Sequence, residues 1–321
     1  MKNHKNNSRV RSLIIPLNLA IVAAARAIGS KLCPGDPTSR YFVLNSFLYP
    51  MVYLCDILGF PLRHLVAARS FLVYEKLWQS LQSEFPPEII IHVSGGFSTH
   101  LLNLVAEDLQ RNKKLTRKYV LTDLSTSLQA HLVASSRFFK KSVGHSSPVL
   151  YLEYDVFKHD LVQILEDHQV AFKHKKVLIL LEGFWYYLPL ESRIRLLDQI
   201  TKVLSPQRGF LITDFQSDDF SVLLQKRNLK GWRRLRNSVA TFIAKKLTGE
   251  ESTYSLEKDN FETIFNLLGF LVVENSITSN SSKLFPIHLV FNLDLVSFPP
   301  LAFNVYLFQF YSEKILTKTK L

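Results

Sequence analysis

Residues 88–100 run EIIIHVSGGFSTH. The near-continuous apolar start suits a strand buried on both faces. The turn Ser94-Gly95-Gly96 that closes it lets backbone approach a ligand closely. Helical spacing then begins at Ser98 and continues to Arg111. Strand, glycine turn and helix in succession are one unit of an α/β sheet.

The same alternation repeats along the chain. Apolar runs recur at Lys118–Thr122, Val149–Tyr154, Lys176–Leu181, Gly209–Thr213 and Gly269–Glu274. Ser125–Phe139 and Leu190–Val203 are long enough for crossover helices. This order predicts an α/β, doubly wound, mostly parallel seven-stranded sheet. Residues 1–16 read as a basic, flexible N-terminus. Residues 17–321 read as one domain: an N-terminal helical cap over 17–87, then an α/β core over 88–321 with a basic helical insert at 217–250.

The strand ends carry the chemistry. The first run ends in the glycine turn, and the next four end in Asp123, Asp155, Glu182 and Asp214. Ligands bind open α/β sheets outside the carboxyl ends of the strands. A carboxylate after the second strand can accept from both ribose hydroxyls, and one after the third can accept from an adenine amino group. A phosphate ligand fits poorly, because the turn lacks a P-loop and the G-x-G-x-x-G fingerprint and the acids would repel a pyrophosphate. An adenosine carrying a positive sulfonium fits better, which points to S-adenosylmethionine. A single acid after a strand is often only a helix cap or turn residue; four in succession behind a glycine turn carry more weight.

These residues resemble the leucine carboxyl methyltransferase family, including its bacterial O-methyltransferase branch, over roughly residues 17–275. The resemblance rests on Ala23-Ala24-Ala25-Arg26-Ala27 with Asp36-Pro37, on Arg69-Ser70, on Tyr119–Leu124 and on Glu182-Gly183-Phe184-Trp185-Tyr186-Tyr187-Leu188. It implies a Rossmann-like methyltransferase fold. It further implies that Arg69 contacts the methionine carboxylate, that Asp123 holds the ribose, that Asp155 and Val156 lie beside the adenine, and that Glu182 lies close to the cofactor. Ser94, Gly95 and Gly96 complete the implied cofactor site, and Tyr187 is the weak candidate for a catalytic residue. The glycine motif departs from the family's pattern. His92 stands where an acid is usual, Ser94 for the first glycine, Ser98 for an aspartate and His100 for an arginine.

Composition narrows the setting. Apolar residues make up 47% and charged residues 21%, enough for a large core and against global disorder. The net charge of +12 favours an anionic ligand, an acidic partner or an anionic membrane surface. Cys33 and Cys55 are the only cysteines, too few for a disulfide framework or a cysteine-based zinc site, and they suit a reducing, cytoplasmic compartment. No metal is expected.

The N-terminal stretch Leu13–Ile28 has the look of a signal, but Pro16, Asn18 and Arg26 interrupt it, and an amphipathic helix over Leu17–Leu32 is the expectation. Tyr41–Leu62 is apolar over 22 residues, yet Asn45, Pro50 and Asp56 favour a buried helix broken at Pro50 over a membrane span. Leu284–Phe310, with Asp294 and Pro299-Pro300, reads as late strands and a connection. The insert 217–250 interleaves basic and apolar residues, which suits an anionic acceptor or peripheral contact with anionic lipid. No nucleic-acid partner is expected, because no stacking platform accompanies the charge.

The sequence therefore points to an S-adenosylmethionine-dependent O-methyltransferase acting on a carboxylate or hydroxyl of a small-molecule or peptide acceptor, itself anionic. The alternative is a non-catalytic protein of the same fold that binds an acidic partner or a membrane surface. A third reading, an α/β-hydrolase using Ser98, Asp214 and His288, requires a small residue where His100 stands.

Overall fold

The computed structural model describes residues 17–29, 48–57, 62–84, 86–112, 114–124, 126–136, 148–204, 209–216, 270–277 and 303–310. The insert 217–250, the Asp36-Pro37 pair and His288 lie outside them.

Seven strands form one sheet: β1 (Ile89–Val93), β2 (Lys118–Asp123), β3 (Val149–Glu153), β4 (Val177–Leu181), β5 (Gly209–Gln216), β6 (Phe270–Ile277) and β7 (Phe303–Phe310). Their order is β3-β2-β1-β4-β5-β7-β6. The first five pair in parallel, and β7 runs antiparallel to both β5 and β6. From β1 the chain winds outward through β2 to β3. It then returns to β4 and winds the other way. The order thus reverses between β1 and β4, where a doubly wound sheet opens its ligand crevice. This is the Rossmann-like methyltransferase fold expected above.

The apolar runs of β1, β2, β4 and β5 are buried on both faces because helices cover both. Ile89, Ile91, Val93, Ile179 and Leu181 pack on one face with α6 (Leu161–Asp167) and α7 (Leu190–Leu204). Ile90, Tyr119, Leu178, Leu180 and Ile212 pack on the other with α3 (Leu62–Leu81), α4 (His100–Asn112) and α5 (Thr126–Ser135). The N-terminal helix α1 (Leu17–Gly29) packs against α3 and against α2 (Leu48–Ile57).

Two expectations change, and one helix is added. Helix α1 is not amphipathic: Ala20, Ile21, Ala23, Ala24, Ala25, Ala27 and Ile28 are all buried, and so is Arg26. A helix apolar all round is an internal helix. Pro50 does not break α2. It sits in the first helical turn, where its missing N–H costs nothing. The seven-residue α6 was unforeseen; Asp160 caps it by accepting from the backbone amides of Val162 and Gln163.

No helix among the described residues is long and apolar enough to cross a membrane.

Candidate functional site

The glycine turn leaves β1 under local constraint. Ser94 has φ 52° and Gly96 φ 50°. Glycine adopts that left-handed region freely, but for serine it costs about 1–2 kcal/mol. Ser94 therefore keeps a glycine-like backbone at a cost. Gly95 has a different reason. A Cβ there would lie 3.1 Å from Cγ and Nδ1 of His92 and 3.2 Å from Cδ1 of Leu121. The His92 ring fills the space beneath the turn.

Asp123, at the end of β2, fixes the turn from the side: its Oδ2 accepts from the Gly96 amide at 3.0 Å. The Gln129 side-chain amide, from α5, donates to the Gly96 carbonyl. Ser94, Gly95, Gly96 and Asp123 are thus brought together at the crevice.

Glu182, one residue past β4, is the centre of a buried charge cluster. Its Oε1 accepts from Arg26 Nη2 at 2.8 Å and from Arg69 Nε at 3.1 Å. Its Oε2 lies 3.3 Å from His100 Nε2. Arg26 Nε also donates to Ser70 Oγ at 2.8 Å. On β5, Asp214 Oδ2 stands 3.7 Å from Arg69 Nη1, and its Oδ1 accepts from the Gly183 amide at 2.6 Å. That amide belongs to a glycine at φ 69°, so Asp214 pins the turn behind Glu182. All of these side chains are at least nine-tenths buried.

Buried ions are tolerated only when paired, and the pairing here sets their protonation. Burial opposes the Glu182 charge, but Arg26 and Arg69 overcome it and hold the carboxyl well below its usual range. Asp214 is pushed up to about 6, chiefly by burial and further by Glu182, against the pull of Arg69. Burial pushes His92 down to about 3, so it stays neutral. Both ring nitrogens of His92 and Oδ2 of Asp214 are buried without a hydrogen-bond partner. Orphaned buried polar atoms of this kind are few in folded proteins.

The segment after Glu182 is anchored by Trp185. Its indole donates to Thr213 Oγ1 at 2.6 Å, and that hydroxyl donates to the Leu181 carbonyl at 2.9 Å. Arg193 donates to the Trp185 carbonyl. Tyr187 ends this short 3-10 turn and is half-buried.

Asp155 and Val156 stand apart from the charge cluster. Asp155 follows β3, accepts from the Phe157 amide and pairs with Lys158 at 2.8 Å, and Lys158 holds its carboxyl below the usual range. Val156 is buried in the core beneath it. Ser98 is buried at the foot of α4, where its hydroxyl accepts from the His100 amide at 3.4 Å. Asp214 is held by Gly183 and Arg69, and His288, the base that the hydrolase reading needs, lies outside the described residues.

Arg26 and His92 carry no site role in the sequence reading, and Asp214 enters it only as a carboxylate at the ligand-binding edge. Arg26 was visible as the one charge inside an apolar helix, a position that demands a buried partner. Its partner lies 156 residues away, beyond the reach of any local pattern.

No protein-family profile matches the sequence, and no curated protein is significantly similar to it. Solved structures are similar in fold. A DUF574 family protein from Streptomyces avermitilis superposes with a TM-score of 0.51 at 12% identity, over 90% of this chain and 97% of that one. The plantazolicin methyltransferase BpumL, in complex with a desmethyl-plantazolicin analogue and SAH, matches 93% of this chain and 100% of its own, with a TM-score of 0.43 at 11% identity. The mycolic acid cyclopropane synthase CmaA1, complexed with SAH, matches 73% of this chain and 83% of its own, with a TM-score of 0.44 at 14% identity.

Proposed function

We propose that the protein is an S-adenosylmethionine-dependent methyltransferase that transfers to an oxygen of an anionic acceptor. One observation carries the reading. At the switch point between β1 and β4, a constrained glycine turn tied to Asp123 faces a buried arginine–carboxylate cluster that retains unpartnered polar atoms. A ligand with an apolar base, a diol and an amino-acid end matches that sequence of groups.

In this reading Asp123 accepts from the ribose hydroxyls, and Ser94, Gly95 and Gly96 let the ligand lie close to the backbone. Asp155 and Val156 border the adenine. Arg69 takes the carboxylate of the methionine end, and Glu182 lies beside that end. The bound cofactor supplies a methyl group on a positive sulfonium. A carboxylate acceptor is already ionised at neutral pH, so the protein's share is proximity and orientation, without a general base. A hydroxyl acceptor requires one; Tyr187, on the short turn that follows Glu182, is the candidate the sequence offers. The leucine carboxyl methyltransferase resemblance is what supports these roles for Arg69, Asp123 and Glu182. The departures at His92 and His100 are absorbed without leaving an unpaired buried charge, since His92 is neutral and His100 faces Glu182.

Asp123→Ala tests the ribose assignment. It removes the charged hydrogen bonds to the ribose, about 1.5–3 kcal/mol in all, and frees the Gly96 amide. Cofactor affinity measured by titration calorimetry is expected to fall about 10- to 150-fold. An unchanged affinity in a folded variant rejects the assignment.

A further inference from the structure

We infer that the site is proton-coupled: Asp214 takes up a proton when Arg69 turns from it to a ligand carboxylate. The inference rests on the cofactor-binding reading above.

The geometry makes Arg69 a shared cation. Its Nε serves Glu182 at 3.1 Å, and its Nη1 is the guanidinium nitrogen 3.7 Å from Asp214 Oδ2. Glu182 has other partners, since Arg26 binds the same Oε1 at 2.8 Å and His100 faces Oε2. Asp214 does not share that support. The Gly183 amide holds its Oδ1, while its Oδ2 has no hydrogen-bond partner. A third carboxylate placed on Arg69 therefore weakens Asp214 far more than Glu182.

The charged and titratable groups around Asp214, among the described residues, can be followed element by element. Arg69 comes from α3 and Glu182 from the end of β4. Behind Glu182 stand Arg26 from α1, His100 from α4 and His92 from β1. Arg69 is the cation that lowers the Asp214 carboxyl; burial and Glu182 both raise it. Its starting point of about 6 leaves about a tenth of the carboxyl protonated at pH 7. When Arg69 is engaged by a ligand, backbone amides such as that of Gly183 are all that still favours the charged carboxylate, against burial and Glu182. The proton comes from the buffer and goes to Oδ2, where no existing hydrogen bond is lost.

The test is calorimetric titration of the full chain with S-adenosylhomocysteine at pH 7, in buffers of different ionisation enthalpy. The expected result is uptake of roughly half a proton or more per ligand bound, falling toward zero at pH 5, where Asp214 is already mostly protonated. Asp214→Asn keeps an oxygen for the Gly183 amide and is expected to bind without proton uptake. Uptake that persists in that variant, or wild-type binding without uptake at pH 7, overturns the inference. Should the variant not fold, the wild-type comparison between pH 7 and pH 5 decides alone. Absence of any binding heat in the wild type is a different result, because it removes the cofactor reading itself.

Discussion

Glu182→Leu is expected to lower the unfolding free energy by about 3–5 kcal/mol, the usual cost of breaking a buried ion pair from one side. The substitution leaves Arg26 and Arg69 inside the protein, only 4% and 8% exposed, without their common carboxylate. Arg69 retains Asp214 at 3.7 Å and Arg26 retains Ser70, but neither neutralises both guanidinium groups. The loss ties together three elements distant in sequence, because Arg26 lies on α1, Arg69 on α3 and Glu182 beyond β4. Urea unfolding at pH 7 measures it. Glu182→Gln, which keeps an acceptor oxygen, is expected to lose less. A loss under about 1 kcal/mol for the leucine variant would mean that the arginines find water or other partners, and that the cluster does not hold α1 to the sheet.

The second large effect is on acid stability and belongs to His92. Its folded-state value of about 3 lies below its ordinary 6.5. The unfolded chain therefore binds a proton that the folded chain refuses. The resulting stability is fully present above pH 6.5 and is lost as pH falls from there toward 3. Each pH unit in that window costs about 1.4 kcal/mol, so about 2 kcal/mol is lost between pH 6.5 and 5. Asp214 acts in the opposite direction. Its raised value means that the folded chain gains relative stability as pH falls through 6, which offsets about 1 kcal/mol of the loss by pH 5. His92→Phe removes the first effect and keeps the second. Between pH 7 and pH 5 the variant is expected to gain on the wild type by about 2 kcal/mol in urea unfolding. Parallel pH dependences in the two proteins would show that His92 can be protonated in place.

Much of the fold was legible because its signals are local. The runs at 89–93 and 177–181 are apolar throughout or nearly so, which strands buried on both faces require. Helix α6 escaped notice because seven residues give too few turns for a periodic pattern, although Asp160 before Leu161 was a cap signal. Pro50 was read as a break because proline is forbidden inside helices, yet the rule spares the first turn. The site was legible in part. Asp123, Glu182 and the glycine turn sit at strand ends, where position alone marks them. Arg26 and His92 do not. Arg26 interrupts an alanine-rich helix and is explained only by Glu182, and His92 looks like a strand residue until the ring is seen beneath Gly95. Ser94 was readable as a substitution, whereas its left-handed backbone is a property of the folded turn.

The most direct test of the account is a titration of the protein with S-adenosylmethionine and S-adenosylhomocysteine, followed by calorimetry and by thermal unfolding. The account predicts 1:1 binding, with the fold stabilised by about 2.7 kcal/mol at a hundredfold excess over the dissociation constant. No heat and no shift at millimolar ligand would contradict it, and would leave the cluster of Arg26, Arg69, Glu182 and Asp214 as a structural core rather than a cofactor site.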